Sequence, residues 1–336
     1  MGKLSTDNKK LPLAICGLGR FANRRVMPAV ACCSNLELTA IVTHSGMNLE
    51  TTFKIQKFLS LDDFLRTNPS GAVYITSPNS LHFEQTIKCL EAGLHVLCEK
   101  PMALNSTDCQ AMIKTARDLN LFLKVGHMLR YSPALLSARQ WLIEGNIGQH
   151  LSIRMIFHYE LPESNRKWAF GKGSAGGGAL MDAGVHCIDV IHLLTGSSLK
   201  VSSVSMDGYN YEDGVERSVQ CHLYAGSCSC LIDINSHAVY KTQLTIVGTK
   251  GEIVIDNFAA CWGNIAVKLY SNNRRSLLRE EFFDASKIYI NQLTDFANVI
   301  HNKNLDFPQD FIAAQNIKVI EEISSVPTFS HRGLVS

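Results

Sequence analysis

The chain has 336 residues, 46% of them hydrophobic and 18% charged, a composition that supports a packed core and excludes wholesale disorder. Thirty-two basic against 30 acidic residues leave a formal charge of +2, which argues against a nucleic-acid-binding stripe or a polybasic membrane anchor. No repeat, Gly-X-Y period or sustained heptad is visible, and no apolar run reaches the ~20 residues of a membrane span. At roughly 100–200 residues per domain, the length predicts two domains. The opening MGKLSTDNKK is polar and has no apolar core of a secretory signal. Eleven cysteines is an odd number, and none are arranged as spaced pairs, so they read as reduced structural thiols of a cytoplasmic protein, not as disulfides or metal ligands. Cys228 and Cys230, two apart, would share one face of a strand.

The first apolar run, Leu11–Cys16, reads as a buried parallel strand ending in Gly17-Leu18-Gly19-Arg20-Phe21-Ala22. This is G-x-G-x-x-A between a strand and a helix. Gly17 permits the tight turn, Gly19 a close approach of backbone to a pyrophosphate, and Ala22 close helix–strand packing, with the phosphates on the helix N-terminus. Pro28 is expected to end or kink that helix. A second strand over 36–43 should end in the Asp or Glu that holds ribose hydroxyls, but the chain reads Val42-Thr43-His44-Ser45-Gly46. Hydroxyls and an imidazole accept a 2′-phosphate where a carboxylate would repel it, so NADP is preferred over NAD; the bland alternative is a plain loop. Alternation continues through a helix at 62–66, strand 72–76, helix 81–92, strand 94–98, helix 106–119 and strand 121–125, which means βαβ units and a parallel sheet. Ligands bind such sheets at the carboxyl ends of strands. That rule adds Thr43, His44 and Ser45, then Ser77, Pro78, Asn79 and His82, then Glu99 and Lys100, to Gly17, Gly19, Arg20 and Phe21 as the cofactor-binding set.

Beyond Gln149 the period changes. Runs at 151–158, 215–223, 229–234, 243–247 and 252–255 alternate without intervening helices, predicting a largely antiparallel sheet, and helices at Ile288–His301 and 311–323 close the chain. The predicted fold is therefore α/β: a Rossmann domain over 1–126 and an α+β domain over 127–336, with the site at their junction.

The stretches CGLGRFANRRVMPAV, ITSPNSLHFEQTIKCLEAGLHVLCEKPMALN, VGHMLRYSP and GGGALMDAGVHCIDVIHLLTG resemble the glucose–fructose oxidoreductase and inositol dehydrogenase family, in the family's order across most of 11–196. The resemblance implies a catalytic Lys100 in EKP, followed by a peptide bond to Pro101 that is often cis in the family. It also implies Asp182 and His186 facing the substrate, Arg130 and Tyr131 near the pocket, and a C-terminal sheet that often joins subunits into homo-oligomers. The residues suit alcohol oxidation. His186 titrates in the range of a general base, Asp182 four residues earlier can orient it or bind hydroxyls, and the Lys100 cation can stabilise developing alkoxide charge. His127 follows the last Rossmann strand, and Trp168 and the glycines of 171–178 suit a wall and a closing loop. Structural readings stand beside these: His186 as a core histidine, Arg130 and Tyr131 as hinge packing, and Asp182, His186 and Asp189 as a metal set lacking a further ligand cluster. The function expected is hydride transfer between NADP or NAD and a secondary alcohol or ketone of a sugar, sugar derivative or cyclitol. The rivals are an enzyme that retains its NAD without net redox change and a non-catalytic dinucleotide sensor.

Overall fold

A computed structural model describes residues 10–44, 55–160, 176–207, 215–272, 276–303 and 308–326. Ser45, Trp168 and the loop 171–175 lie outside the described residues.

The first sheet is built from β1 (Leu11–Cys16), β2 (Leu36–Val42), β3 (Gln56–Phe58), β4 (Ala72–Ile75), β5 (His95–Cys98) and β6 (Leu123–Val125). Its order is β3-β2-β1-β4-β5-β6 and every pair is parallel. The strand order reverses between β1 and β4, so their carboxyl ends border the crevice where ligands of doubly wound sheets bind. Leu13, Ile15, Val73, Tyr74 and Ile75 are wholly buried, as expected of strands covered on both faces. Helices α1 (Met27–Cys32), α2 (Leu61–Leu65), α3 (His82–Glu91) and α4 (Ser106–Asp118) provide the cover. The predicted first helix starts as a π-turn, Ala22–Val26, and continues as α1 with Pro28 in its first turn. Pro28 cannot donate to the carbonyl four residues back, and the wider i→i−5 bond from the Met27 N–H to the Ala22 carbonyl takes up the register.

After α5 (Pro133–Ile143) and before α6 (Val185–Thr195) comes the first strand of the second sheet, β7 (His150–Glu160). The remaining strands are β8 (Leu199–Asp207), β9 (Ser218–Ala225), β10 (Cys228–Asn235), β11 (His237–Gly248), β12 (Gly251–Asp256), β13 (Asn264–Ser271) and β14 (Leu277–Asp284). The order is β14-β13-β12-β11-β7-β10-β9-β8, antiparallel apart from the β7–β10 pair. Alternation puts one face inward: Cys228, Cys230, Ile232 and Ile234 of β10 are buried while Leu231 is exposed. All eleven cysteines are free thiols.

The closing helices, α7 (Ile288–His301) and α8 (Pro308–Ser325), turn back onto the first sheet. Leu293, Phe296 and Ala297 of α7 pack with Leu13, Ile15, Ile41 and Leu97, and α8 packs on α4. The end of the chain thus seals one face of the nucleotide half. No helix among the described residues is long and apolar enough to cross a membrane.

Candidate active site

The glycine turn joins β1 to the first helix at the crevice. Gly17 has φ +99°, and a Cβ there would lie 2.5 Å from the Ser77 backbone nitrogen. The Thr76 hydroxyl donates to the Gly17 carbonyl at 2.5 Å and ties the turn to the end of β4. Gly19 is the opposite case: a Cβ there would meet no atom of the described residues within 4 Å. That open space lies at the N-terminus of a helix, and a dinucleotide pyrophosphate would fit there. Arg20 at the helix start is exposed, whereas the Phe21 ring packs edge-on against Tyr289, 5.6 Å between centroids. Thr43 and the exposed His44 end β2 with no carboxylate between them; His44 meets the Leu59 carbonyl.

The Ser77-Pro78-Asn79 turn follows β4, with Ser77 bonded to Gln85 at 2.6 Å. His82 requires a correction. It was expected to contact cofactor, but it is fully buried, with Nδ1 2.7 Å from the Pro101 carbonyl and Nε2 2.9 Å from the Ser77 carbonyl. Both nitrogens are occupied in clasping the two turns, because the first residue of α3 points beneath them.

Beyond β5, Glu99 accepts from the Tyr74 hydroxyl at 2.5 Å and from the Lys100 backbone N–H at 3.3 Å. Burial pushes its carboxyl up to about 7. The Lys100–Pro101 peptide bond is cis. Lys100 Nζ donates to the Asp182 carbonyl at 2.9 Å and to Asp182 Oδ1 at 2.8 Å. An ammonium has three protons, so one remains for a ligand. Tyr159, at the end of β7, donates its hydroxyl to Asp182 Oδ2 at 3.0 Å.

Asp182 lies in a π-turn, Leu180–Gly184, that opens the helix continued by α6. Its carboxylate therefore joins Lys100 and Tyr159; the bond to the His186 ring that the i, i+4 spacing suggested is not made at Nδ1, which has no partner among the described residues. His186 is 7% exposed, with Phe157 nearly parallel to it at 6.4 Å and His127 edge-on at 6.5 Å. Burial, then the Lys100 charge, holds its pKa well below the usual histidine value, so the ring is neutral at pH 7.

Arg130 and Tyr131, expected near the substrate, each have partners within the protein. Arg130 holds buried Asp189 through three bonds of 2.8–3.0 Å, and the Tyr131 hydroxyl donates to Asp295 at 2.7 Å. Asp189 also accepts from Asn316 at 2.9 Å, and its bond with Arg130 accounts for its place on the helix without a metal. Burial lowers His127, beside this network, to about 4.

Residues 11–127 match an oxidoreductase family with an NAD-binding Rossmann fold, and residues 135–254 match the GFO/IDH/MocA C-terminal domain. The chain belongs to the GFO/IDH/MocA oxidoreductase family. Among relatives, it is 29% identical to the 1,5-anhydro-D-fructose reductase of Ensifer adhaerens over 220 residues, 64% of this chain and 63% of that protein. It is also 29% identical to the trans-1,2-dihydrobenzene-1,2-diol dehydrogenase of Xenopus laevis over 257 residues, 73% of this chain and 74% of that one. The fold superposes with a TM-score of 0.87 on KijD10, a 3-ketoreductase from Actinomadura kijaniata in complex with NADP and TDP-benzene. That likeness covers 94% of this chain and 98% of the other at 19% identity, and it concerns the fold alone. Tyr159 carries no motif and was missed by sequence reasoning; its place at the end of a strand entering the site was the only available signal.

Proposed function

We propose that the protein is an NAD(P)-dependent oxidoreductase that interconverts a secondary alcohol and a ketone on a polyhydroxylated substrate, a sugar, sugar derivative or cyclitol. The observation that carries this reading is the meeting of Lys100 with Asp182 at the carboxyl end of β5, with neutral His186 one turn further on. The nicotinamide, when bound, supplies the hydride acceptor or donor. Gly17, Gly19 and the turns at Ser77 and Glu99 would hold it. In the oxidative direction, Lys100 directs its remaining N–H to the substrate oxygen and stabilises the negative charge that develops there. His186 takes the hydroxyl proton, for which a neutral ring is required. Asp182 fixes the lysine, and Tyr159 fixes Asp182. One named relative is a reductase of 1,5-anhydro-D-fructose, a cyclic keto sugar anhydride, and the other a dehydrogenase of a cyclic vicinal diol, so a ring bearing adjacent hydroxyl or oxo groups is the substrate favoured here.

The cofactor preference is NADP, because Thr43 and His44 leave no carboxylate to repel a 2′-phosphate. Free thiols throughout support a reducing, cytoplasmic setting. The open face of the second sheet carries Tyr224 and Leu231 in exposed positions, and a homo-oligomer through that face is expected, to be checked by light scattering. The deciding experiment is a fluorescence titration with NADPH and NADH, followed by turnover on a panel of sugars and cyclic diols. NADPH binding with oxidation or reduction of a cyclic diol or ketol supports the reading. Turnover without net change in NAD(P)H points to the cofactor-retaining reaction, and binding with no turnover points to a sensor.

A further inference from the structure

The helix that carries Asp182 and His186 begins without a cap of its own. The first N–H groups of a helix have no intrahelical acceptor, and a Ser, Thr, Asp or Asn side chain usually supplies one. Here the residue before the π-turn is Ala179, preceded by glycines, and no side chain of this segment caps it. The acceptors come from elsewhere in the chain. Glu216, 6% exposed and two residues before β9, accepts from the Gly178 and Leu180 N–H groups through Oε1, each at 2.9 Å. Its backbone carbonyl accepts from the Ala179 N–H at 3.0 Å. Three successive N–H groups thus end on one residue of the segment leading into β9 of the second sheet.

The approach is close enough to dictate sequence: a Cβ on Gly178 would lie 2.0 Å from the Glu216 carbonyl oxygen. Glu216 is itself held, since its neighbour Arg217 donates to the Asp207 carbonyl at 3.0 Å and accepts from the Ser236 N–H at 2.9 Å. The next link inward is direct, because the Asp182 N–H donates to the Gly178 carbonyl at 3.0 Å. A carboxylate at this end is also favoured by the helix dipole.

We propose that Glu216 is a positioning residue for catalysis: by clamping the start of this helix to the second sheet, it sets where the Asp182 carboxylate meets Lys100 and where the His186 ring stands. This rests on the catalytic reading of those three residues. A displacement of about 1 Å at reacting groups costs on the order of 100-fold in rate.

The test compares Glu216→Ala, Glu216→Gln and wild type by steady-state kinetics, with cofactor affinity and thermal melting measured alongside. The expected result is a kcat lowered ~10- to 100-fold in Glu216→Ala, with cofactor Kd within about 2-fold, since the glycine turn at β1 is built on Ser77 and Thr76 and not on Glu216. Glu216→Gln keeps an oxygen for both N–H groups and is expected within about 3-fold of wild-type kcat. A Glu216→Ala enzyme that melts earlier yet turns over like wild type overturns the proposal, leaving Glu216 a structural cap. Equal loss in Glu216→Gln also overturns it. If the alanine variant does not fold, Glu216→Asp, one methylene shorter, takes its place with the same criteria. Wild type inactive on every substrate is a failure of the functional reading, not of the clamp. In that event the imidazole NMR signals of His186, assigned with His186→Gln, decide: they shift in Glu216→Ala and hold in Glu216→Gln if the clamp sets the ring, and their constancy in both overturns it.

Discussion

Lys100 joins the end of β5 to the helix that carries Asp182 and His186. Its stem is mostly buried and its ammonium is bound twice by Asp182, leaving a single proton for a ligand. Lys100→Met preserves the stem and removes the charge, so turnover is expected to fall at least ~100-fold with folding retained; near-normal turnover would remove the lysine from the mechanism. Tyr159→Phe deletes the hydrogen bond to the Asp182 carboxylate and keeps the ring. Bonds to charged groups contribute about 1.5–3 kcal/mol, so kcat is expected to drop by about tenfold or more while cofactor KM stays put. An unchanged kcat would reduce Tyr159 to packing. The lysine was legible because EKP is a specific signal at a strand end. Tyr159 was not, since an aromatic at the end of an alternating strand looks like any core residue until the fold brings β7 against the helix. His82 misled for a related reason: a polar side chain next to a motif looks functional in sequence, and only burial and partners show that both ring nitrogens are spent internally.

The glycine turn separates two requirements that a sequence motif merges. Gly17 is needed by the protein itself, because of its positive φ and its contact with Ser77. Gly17→Ala is expected to destabilise by roughly 1–3 kcal/mol, seen as an earlier melt without any ligand. A Cβ on Gly19 would meet none of the described residues, so Gly19→Ala is expected to melt with wild type and yet bind NADPH at least ~10-fold more weakly, since the methyl would stand where the pyrophosphate is proposed to lie. Equal affinity in Gly19→Ala would place the pyrophosphate elsewhere. At this scale most elements of the parallel sheet could be read in advance, because runs buried on both faces and alternating with helices leave a strong pattern. The edge strand β14 (LLREEFFD) is largely exposed and has no clean period, and α5 is apolar on too many sides to show a stripe; both emerged only in the structure. The π-turn at Leu180–Gly184 was equally hidden, as a four-residue spacing was taken for one α-turn.

Across the whole molecule, the buried titratable groups pull stability in opposite directions with pH. His127, 3% exposed, has its pKa lowered to about 4, and His82, His95, His186 and His192 are lowered as well, each chiefly by burial. Between about pH 4 and 6.5 the unfolded chain binds protons at these rings that the folded chain refuses, so stability rises with pH across that window and is lost on acidification. His127 alone contributes on the order of 3 kcal/mol at most by this route. Glu99 works the other way. Its folded pKa of about 7 exceeds the unfolded value of 4.5, so the folded state holds the extra proton and stability falls as pH rises through the same range. The histidines outnumber the single glutamate, and the melting temperature is expected to climb by several degrees between pH 5 and 6.5. Glu99→Gln cannot titrate but still offers an oxygen to the Tyr74 hydroxyl. It removes the opposing contribution, so its melting temperature should rise more steeply over that interval than that of wild type. A slope equal to or shallower than wild type in calorimetry at matched ionic strength would mean that Glu99 is ionised throughout, and that the carboxylate beside Lys100 stays charged at every working pH.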